Sequence, residues 1–396
     1  MSSKFNFVVD RIVRNKAYPA LTTWQARPYT AAWREFGQHW PHTVPVELFE
    51  HCRTHNYPYE FHWVKESWPP DSFYCIGLGF FDFAIDYFAL MPAEVSESLR
   101  AEKLTVLFYY HEGDSPADIK QRLDQLCQQH KLSSNCYRFV SGNTAAASLK
   151  GFAWFPDHEL LYWQRNQSST AAEIHQRSRN QQFTVLSRTH KWWRAVVMTD
   201  LQNQNLLNQS FWSYSTELGT GESESDCPIE IDTLNIRDNL YKFLSNCPYS
   251  CDSLSIDQHN DHHNTVYDHY TDSYCSIVLE THYDADSSRG AFLTEKTFKA
   301  IKHGHPFVIV GCAGSLQALR ELGYRTFDHA IDNNYDTVSD NTQRWIKCRD
   351  SIAKLQQQDM HKWFDSCRDD IEHNQKLFNQ RKFDRLNTLL NKLQYT

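Results

Sequence analysis

A chain of 396 residues with 40 Lys and Arg against 48 Asp and Glu carries a formal net charge of −8. Its 41% apolar and 22% charged residues suit conventional packed cores, and at roughly 100–200 residues per domain the length fits two domains. The mean hydropathy of −0.63, with no apolar run near ~18 residues, argues against a membrane span, and the net acidity argues against tight non-specific nucleic-acid binding.

Residues 1–70 mix aromatic, polar and proline residues and give no clear element. Ser72–Phe83 reads as a buried strand and turn. Leu104–Tyr110 is a continuous β-prone apolar run, as expected of a strand covered on both faces. It ends in His111-Glu112-Gly113-Asp114-Ser115-Pro116, where Ser115 or Asp114 can cap a following helix. Ala117–Lys131 carries Ile119, Leu123, Leu126 and Cys127 at helical spacing. Tyr137–Val140 is the next strand. Strand, helix and strand with short connections predict a βαβ unit and a parallel sheet.

The polar stretch 164–182 is the predicted domain boundary, and the pattern then restarts. Phe183–Ser187 reads as a strand and Arg188–Arg194 as a basic loop or first helical turn. Ala195–Leu207 reads as a helix, and 215–230 as a surface loop. An acidic, His-rich tract follows, with His259 and His263 four apart and Asp257, Asp261, Asp268 and Asp272 around them. Those are metal-ligand types, but the spacing matches no fixed signature and the composition suits a solvated loop. Cys275–Glu280 is a strand, Thr294–His303 a helix stopped by Gly304, and Phe307–Gly311 a strand. Ser315–Leu322 is a helix stopped by Gly323, and the chain is helical from Asn341 onward. The expectation is an α/β fold of two Rossmann-like domains, 1–170 and 171–340, closed by helices over 341–396.

Eleven cysteines are odd in number and scattered, with no C-x-x-C pair, so free thiols are expected. The N-terminus, Met1–Phe7, lacks the apolar stretch of a signal peptide, so a cytoplasmic protein is expected.

In parallel sheets ligands bind beyond the carboxyl ends of the strands. One strand delivers Glu280 to such an end. Thr294 can cap the next helix, placing Glu295 and Lys296 in its first turn. An acid there suits the helix dipole. A cation opposes it, so Lys296 calls for an anionic ligand or an acidic neighbour. Arg188 and Arg194 flank another strand-to-helix junction, and a guanidinium fork suits phosphate oxygens.

The pattern Glu280 … Thr294-Glu295-Lys296 … Pro306–Gly311 resembles the donor-binding motif of the α1,3-fucosyltransferase family. It is shared more weakly with exostosin-like transferases and with glycosyltransferase-like proteins of phages. The match covers residues 276–311. It departs from the family where Glu280-Thr281-His282 replaces Glu-Asn-Ser, and in a Pro-to-Gly segment one residue longer. The resemblance implies a GT-B fold, two Rossmann-like domains facing across a cleft. It further implies a GDP- or UDP-linked nucleotide sugar as donor and no other cofactor. Glu295 would bond the ribose, Lys296 the diphosphate, and Glu280 would lie near the donor sugar.

An inverting transferase needs a general base for the acceptor hydroxyl. Glu112 is the first candidate, with His111 and Asp114 next and Asp82 and Asp86 as rivals. The reading is therefore a metal-independent glycosyltransferase with an unassigned acceptor, whether glycan, small molecule or modified nucleic acid. Alternatives are a DNA-modifying transferase of phage type acting in a host cytoplasm, a metal-dependent hydrolase using the 257–272 tract, and a non-catalytic nucleotide- or sugar-binding module.

Overall fold

The computed structural model describes residues 4–10, 45–79, 81–165, 179–219, 221–251, 266–284, 290–380 and 383–395. The chain forms two compact units, Met1–Gln164 with Arg381–Thr396, and Arg165–Gln380.

The first unit is built on a six-stranded, wholly parallel sheet in the order β2-β1-β3-β4-β5-β6. Its elements in chain order are β1 (Phe5–Val9), α1 (Val46–Thr54), β2 (Tyr59–Trp63), β3 (Phe73–Leu78), α2 (Ala93–Arg100), β4 (Thr105–Tyr110), α3 (Pro116–Gln129), β5 (Tyr137–Ser141), β6 (Phe152–Trp154) and α4 (Asp157–Arg165). The alternation of strand side chains assigns the two faces. Phe5, Phe7, Val9, Phe73, Cys75, Leu107 and Tyr109 pack with Leu48, Phe49 and Cys52 of α1 and with Leu160 of α4. Val8, Tyr74, Ile76, Val106, Phe108 and Tyr110 pack with Val95 and Leu99 of α2 and with Ile119, Leu123 and Leu126 of α3. Both faces are covered, which is why these strands read as unbroken apolar runs. Gly77 is required where α1 begins, because a Cβ there would stand 2.7 Å from the Pro45 Cα.

The second unit has a four-stranded parallel sheet in the order β10-β9-β7-β8. Its elements are β7 (Gln181–His190), α5 (Trp192–Asn203), β8 (Ser210–Gly219), α6 (Arg237–Ser245), α7 (Tyr267–Thr271), β9 (Ser273–Leu279), α8 (Glu295–Lys302), β10 (Phe307–Val310), α9 (Ser315–Glu321), α10 (Asn341–Gln356), α11 (Met360–Ser366) and α12 (Arg368–Asn379). The last helix, α13 (Phe383–Tyr395), belongs to the first unit. There Leu386, Leu389, Leu390 and Leu393 are buried in the same layer as Phe5 and Phe49.

The α/β class with parallel, Rossmann-like sheets is as expected. Several details differ. Residues 1–70 hold β1, α1 and β2, and β1 lies between β2 and β3. The stretch expected to be a loop from 215 is, as far as Gly219, the end of β8. Arg188 lies inside β7, because that strand runs on to His190. The helices from 341 do not form one tail: α10 to α12 stay with the second unit and α13 joins the first. The polar stretch expected to mark the boundary lies largely outside the described residues. No helix among the described residues is long and apolar enough to cross a membrane.

Candidate functional site

In the second unit the chain runs from β7 outward to β8, then crosses back to place β9 on the other side of β7. This reversal makes the carboxyl ends of β7 and β9 a topological switch point, where open parallel sheets leave a crevice for ligands. At those ends stand His190, the last residue of β7, and Lys191 on one side, and Glu280 and Thr281 on the other.

Glu280 is completely buried. Its Oε1 accepts from the Thr294 N–H at 3.1 Å and from the Thr297 hydroxyl at 2.6 Å. Its Oε2 accepts from the Thr294 hydroxyl at 2.6 Å and from the Thr281 N–H at 3.2 Å. Four donors on one carboxylate fasten the start of α8 to the end of β9. The oxygens of Glu280 are thus engaged within the protein, and it positions the helix that carries Glu295 and Lys296.

Thr294 caps α8 as expected, its hydroxyl accepting from the Lys296 N–H. The Lys296 ammonium, about a third exposed, donates to Glu295 Oε1 at 3.0 Å, Thr281 Oγ1 at 3.2 Å and Thr294 Oγ1 at 3.3 Å. Those partners fix it over the first turn of α8, with the Glu295 carboxylate beside it.

Arg194 is buried and does a different job from the one its charge suggested. Its Nη2 donates to the Glu280 carbonyl at 2.6 Å and its Nη1 to the Thr189 carbonyl at 3.2 Å. It therefore ties the ends of β7 and β9 across the switch point, while its Nε has no hydrogen-bond acceptor. Burial works against its charge, and Glu280 is the nearest offsetting carboxylate. Arg188, two residues short of the strand end, is half-buried.

The residue the structure brings forward is Lys191. It is the N-cap of α5, and no side chain caps that helix. The first N–H groups of α5 therefore receive no acceptor from the side chain at the N-cap. The Lys191 ammonium lies 3.5 Å from Glu222. Burial lowers its pKa, Glu222 opposes this, and the charges of Arg194 and Lys296 lower it further. Lys191 and Lys296 thus stand at the same C-terminal edge of the sheet, close enough for the charge of Lys296 to disfavour that of Lys191. An anion at the α5 N-terminus would complement the helix dipole and both ammonium groups together.

Two aromatic contacts border this region. Trp193 stacks on Tyr283 with ring centroids 5.0 Å apart, and the Arg344 guanidinium lies 4.4 Å from the Tyr283 ring centroid. Arg344, buried at the start of α10, also donates to the carbonyls of Gly311 and Tyr283. Nothing in its sequence surroundings marks it, because all these acceptors are backbone atoms brought near by the fold.

In the first unit the candidates after β4 separate. The Asp114 carboxylate accepts from the Tyr110 hydroxyl at 2.5 Å, so it braces its own loop, and Ser115 caps α3. Asp82 caps a turn through the Ala84 N–H, and Asp86 holds His130 at 2.8 Å. Glu112 has a side chain 38% exposed, which leaves it reachable from solvent, and lies 3.4 Å from the buried His111 Nε2.

Burial alone would lower the His111 pKa. The hydrogen bond with Glu112 and the charges of Glu47, Glu112 and Asp157 outweigh it and raise the pKa to about 9. The folded state then holds a proton that the unfolded chain, with the ordinary histidine value of 6.5, releases earlier. The stabilisation is complete below pH 6.5 and is lost as pH rises through 9. We expect urea unfolding to show a loss on the order of 2–3 kcal/mol across that window, much reduced in His111→Gln. An unchanged pH dependence in the variant would contradict the assignment.

Of the acidic, His-rich tract, residues 257–265 lie outside the described residues. Asp268 opens α7, and His269 is buried beside Phe211, with Cys251 Sγ 3.7 Å from its Nε2. Among the described residues no three His, Cys, Asp or Glu side chains are grouped to hold a metal ion. No protein-family model matches the chain, and no curated protein matches it in sequence.

Proposed function

We propose that the second unit binds the diphosphate of a nucleotide sugar at the switch point and that the protein is a glycosyltransferase of the GT-B class. One observation carries the reading: Lys191, buried at the uncapped N-terminus of α5, and Lys296, on the first turn of α8, both follow strand ends at the switch point, close enough for the charge of one to weigh on the other. Backbone N–H groups and two ammonium groups converging there are chemistry for phosphate oxygens. The motif resemblance over 276–311 supports the nucleotide-sugar form of that anion.

In this reading Lys191, Lys296 and the α5 N-terminus stabilise the charge that develops on the departing nucleotide diphosphate. Glu280 and Arg194 hold the two strand ends and the α8 start in register, so the donor groups are fixed before ligand arrives. Glu295 lies next to the Lys296 ammonium and is the acid that the motif resemblance proposes for the ribose. Glu112, exposed and paired with His111, is the proposed base that takes the acceptor hydroxyl proton. Donor base, donor sugar and acceptor stay open.

Calorimetric titration with UDP and GDP tests the proposal. Lys191→Ala and Lys296→Ala should each weaken binding about tenfold, the equivalent of ~1.4 kcal/mol.

A further inference from the structure

Two cysteines that sequence spacing does not pair are in contact in the first unit. Cys127 lies in the last turn of α3 and Cys136 immediately before β5, and their sulfur atoms are 3.7 Å apart. Both are buried, at 1% and 6% exposure, yet Cys136 adjoins the exposed Ser134-Asn135 turn. The backbone already closes the loop between them. The Leu132 N–H donates to the Cys127 carbonyl at 2.8 Å, and the Cys136 N–H to the Ser133 carbonyl at 3.0 Å. A disulfide bond is about 2.0 Å long, so the sulfurs need to close by less than ~2 Å, a movement side-chain rotation supplies.

We propose that Cys127 and Cys136 form a redox-modifiable pair, joined by a small peroxide-class oxidant into a disulfide that staples the end of α3 to the start of β5. The pair is asymmetric. The two thiols share one S–H···S contact, which favours the thiolate at Cys136, beside the exposed turn, and disfavours it at Cys127. Thiolate is the reactive form. The Cys136 thiolate attacks one oxygen of hydrogen peroxide, breaking the O–O bond and giving a sulfenic acid and hydroxide. The Cys127 sulfur then attacks the Cys136 sulfur, forming S–S and expelling the sulfenic oxygen as water. Two thiols lose two electrons in all, and one peroxide becomes two waters.

The bond ties a loop that is already folded in the native state, so its main effect falls on the unfolded chain. The other buried cysteines lack such a placed contact.

The experiment is peroxide titration of the full chain, followed by alkylation and peptide mass mapping without reductant. The expected result is a peptide linked through Cys127 and Cys136, and a melting temperature raised by several degrees that returns to its starting value with dithiothreitol. Cys127→Ser and Cys136→Ser should lose both. The Cys127→Ala/Cys136→Ala protein serves as a check that folding survives without the pair. Both thiols remaining open to alkylation, or Cys136 passing singly to sulfinic acid, would overturn the proposal. A linked peptide without a rise in melting temperature would overturn the staple.

Discussion

Replacing Glu280 by alanine is expected to destabilise the second unit by about 3–5 kcal/mol, the usual result of removing one partner from a buried, hydrogen-bonded charge system. The reason is local. Glu280 accepts four hydrogen bonds from Thr281, Thr294 and Thr297, and it is the carboxylate that most offsets buried Arg194. Its loss strips two buried hydroxyls and two N–H groups of their acceptor and leaves the guanidinium without its nearest counter-charge. Since whole domains are stable by only ~5–15 kcal/mol, a large part of the folded margin is at stake. Glu280→Gln keeps the volume and one acceptor oxygen, so a smaller loss is expected, about 1–3 kcal/mol. Urea unfolding measures both. A Glu280→Ala protein within 1 kcal/mol of the parent would contradict the scaffold role, by roughly the difference between an exposed and a buried carboxylate.

Removing residues 381–396 is expected to unfold the first unit. Leu386, Leu389, Leu390 and Leu393 of α13 are each at most 4% exposed, and they complete the layer formed by Phe5, Phe7, Phe49 and Leu160. Burying a leucine side chain contributes about 1.5–3 kcal/mol, so four together are comparable to the whole ~5–15 kcal/mol margin of a typical domain. The deletion also takes Arg385 away from Glu159, a completely buried carboxylate 3.3 Å from it. Limited proteolysis should cut within residues 45–165 of the truncated protein and spare them in the full chain. Equal resistance in the two would show that α13 is a dispensable cover.

These two predictions also mark how far the sequence could be read. Thr294 as a cap, Gly304 as a stop and the runs around β4 and β9 were legible, because each follows from local backbone chemistry or from burial on both faces. β1 was not: five residues, Phe5–Val9, are too short to show a period. β8 was missed because its second half, Ser215–Gly219, has a loop-like composition. Glu280 and Arg194 were legible as charged residues at strand ends, but not in role. Whether a carboxylate meets a ligand or three threonines depends on contacts made across loops. Lys191 stood in a visibly basic segment, yet its place as an uncapped N-cap became apparent only when β7 proved to extend to His190. The contact between Cys127 and Cys136 likewise depends on a loop that brings a helix end beside a strand start.

The central claim is that Lys191 and Lys296 form one anion site at the switch point. Isothermal titration of UDP and GDP into the full chain, its Lys191→Ala and Lys296→Ala variants, and the surface variant Lys354→Ala tests it most directly. The account predicts that at least one nucleotide binds the parent, that each site lysine change weakens it about tenfold, and that Lys354→Ala leaves it unchanged. Absence of binding by both nucleotides, or binding indifferent to Lys191 and Lys296, would contradict it.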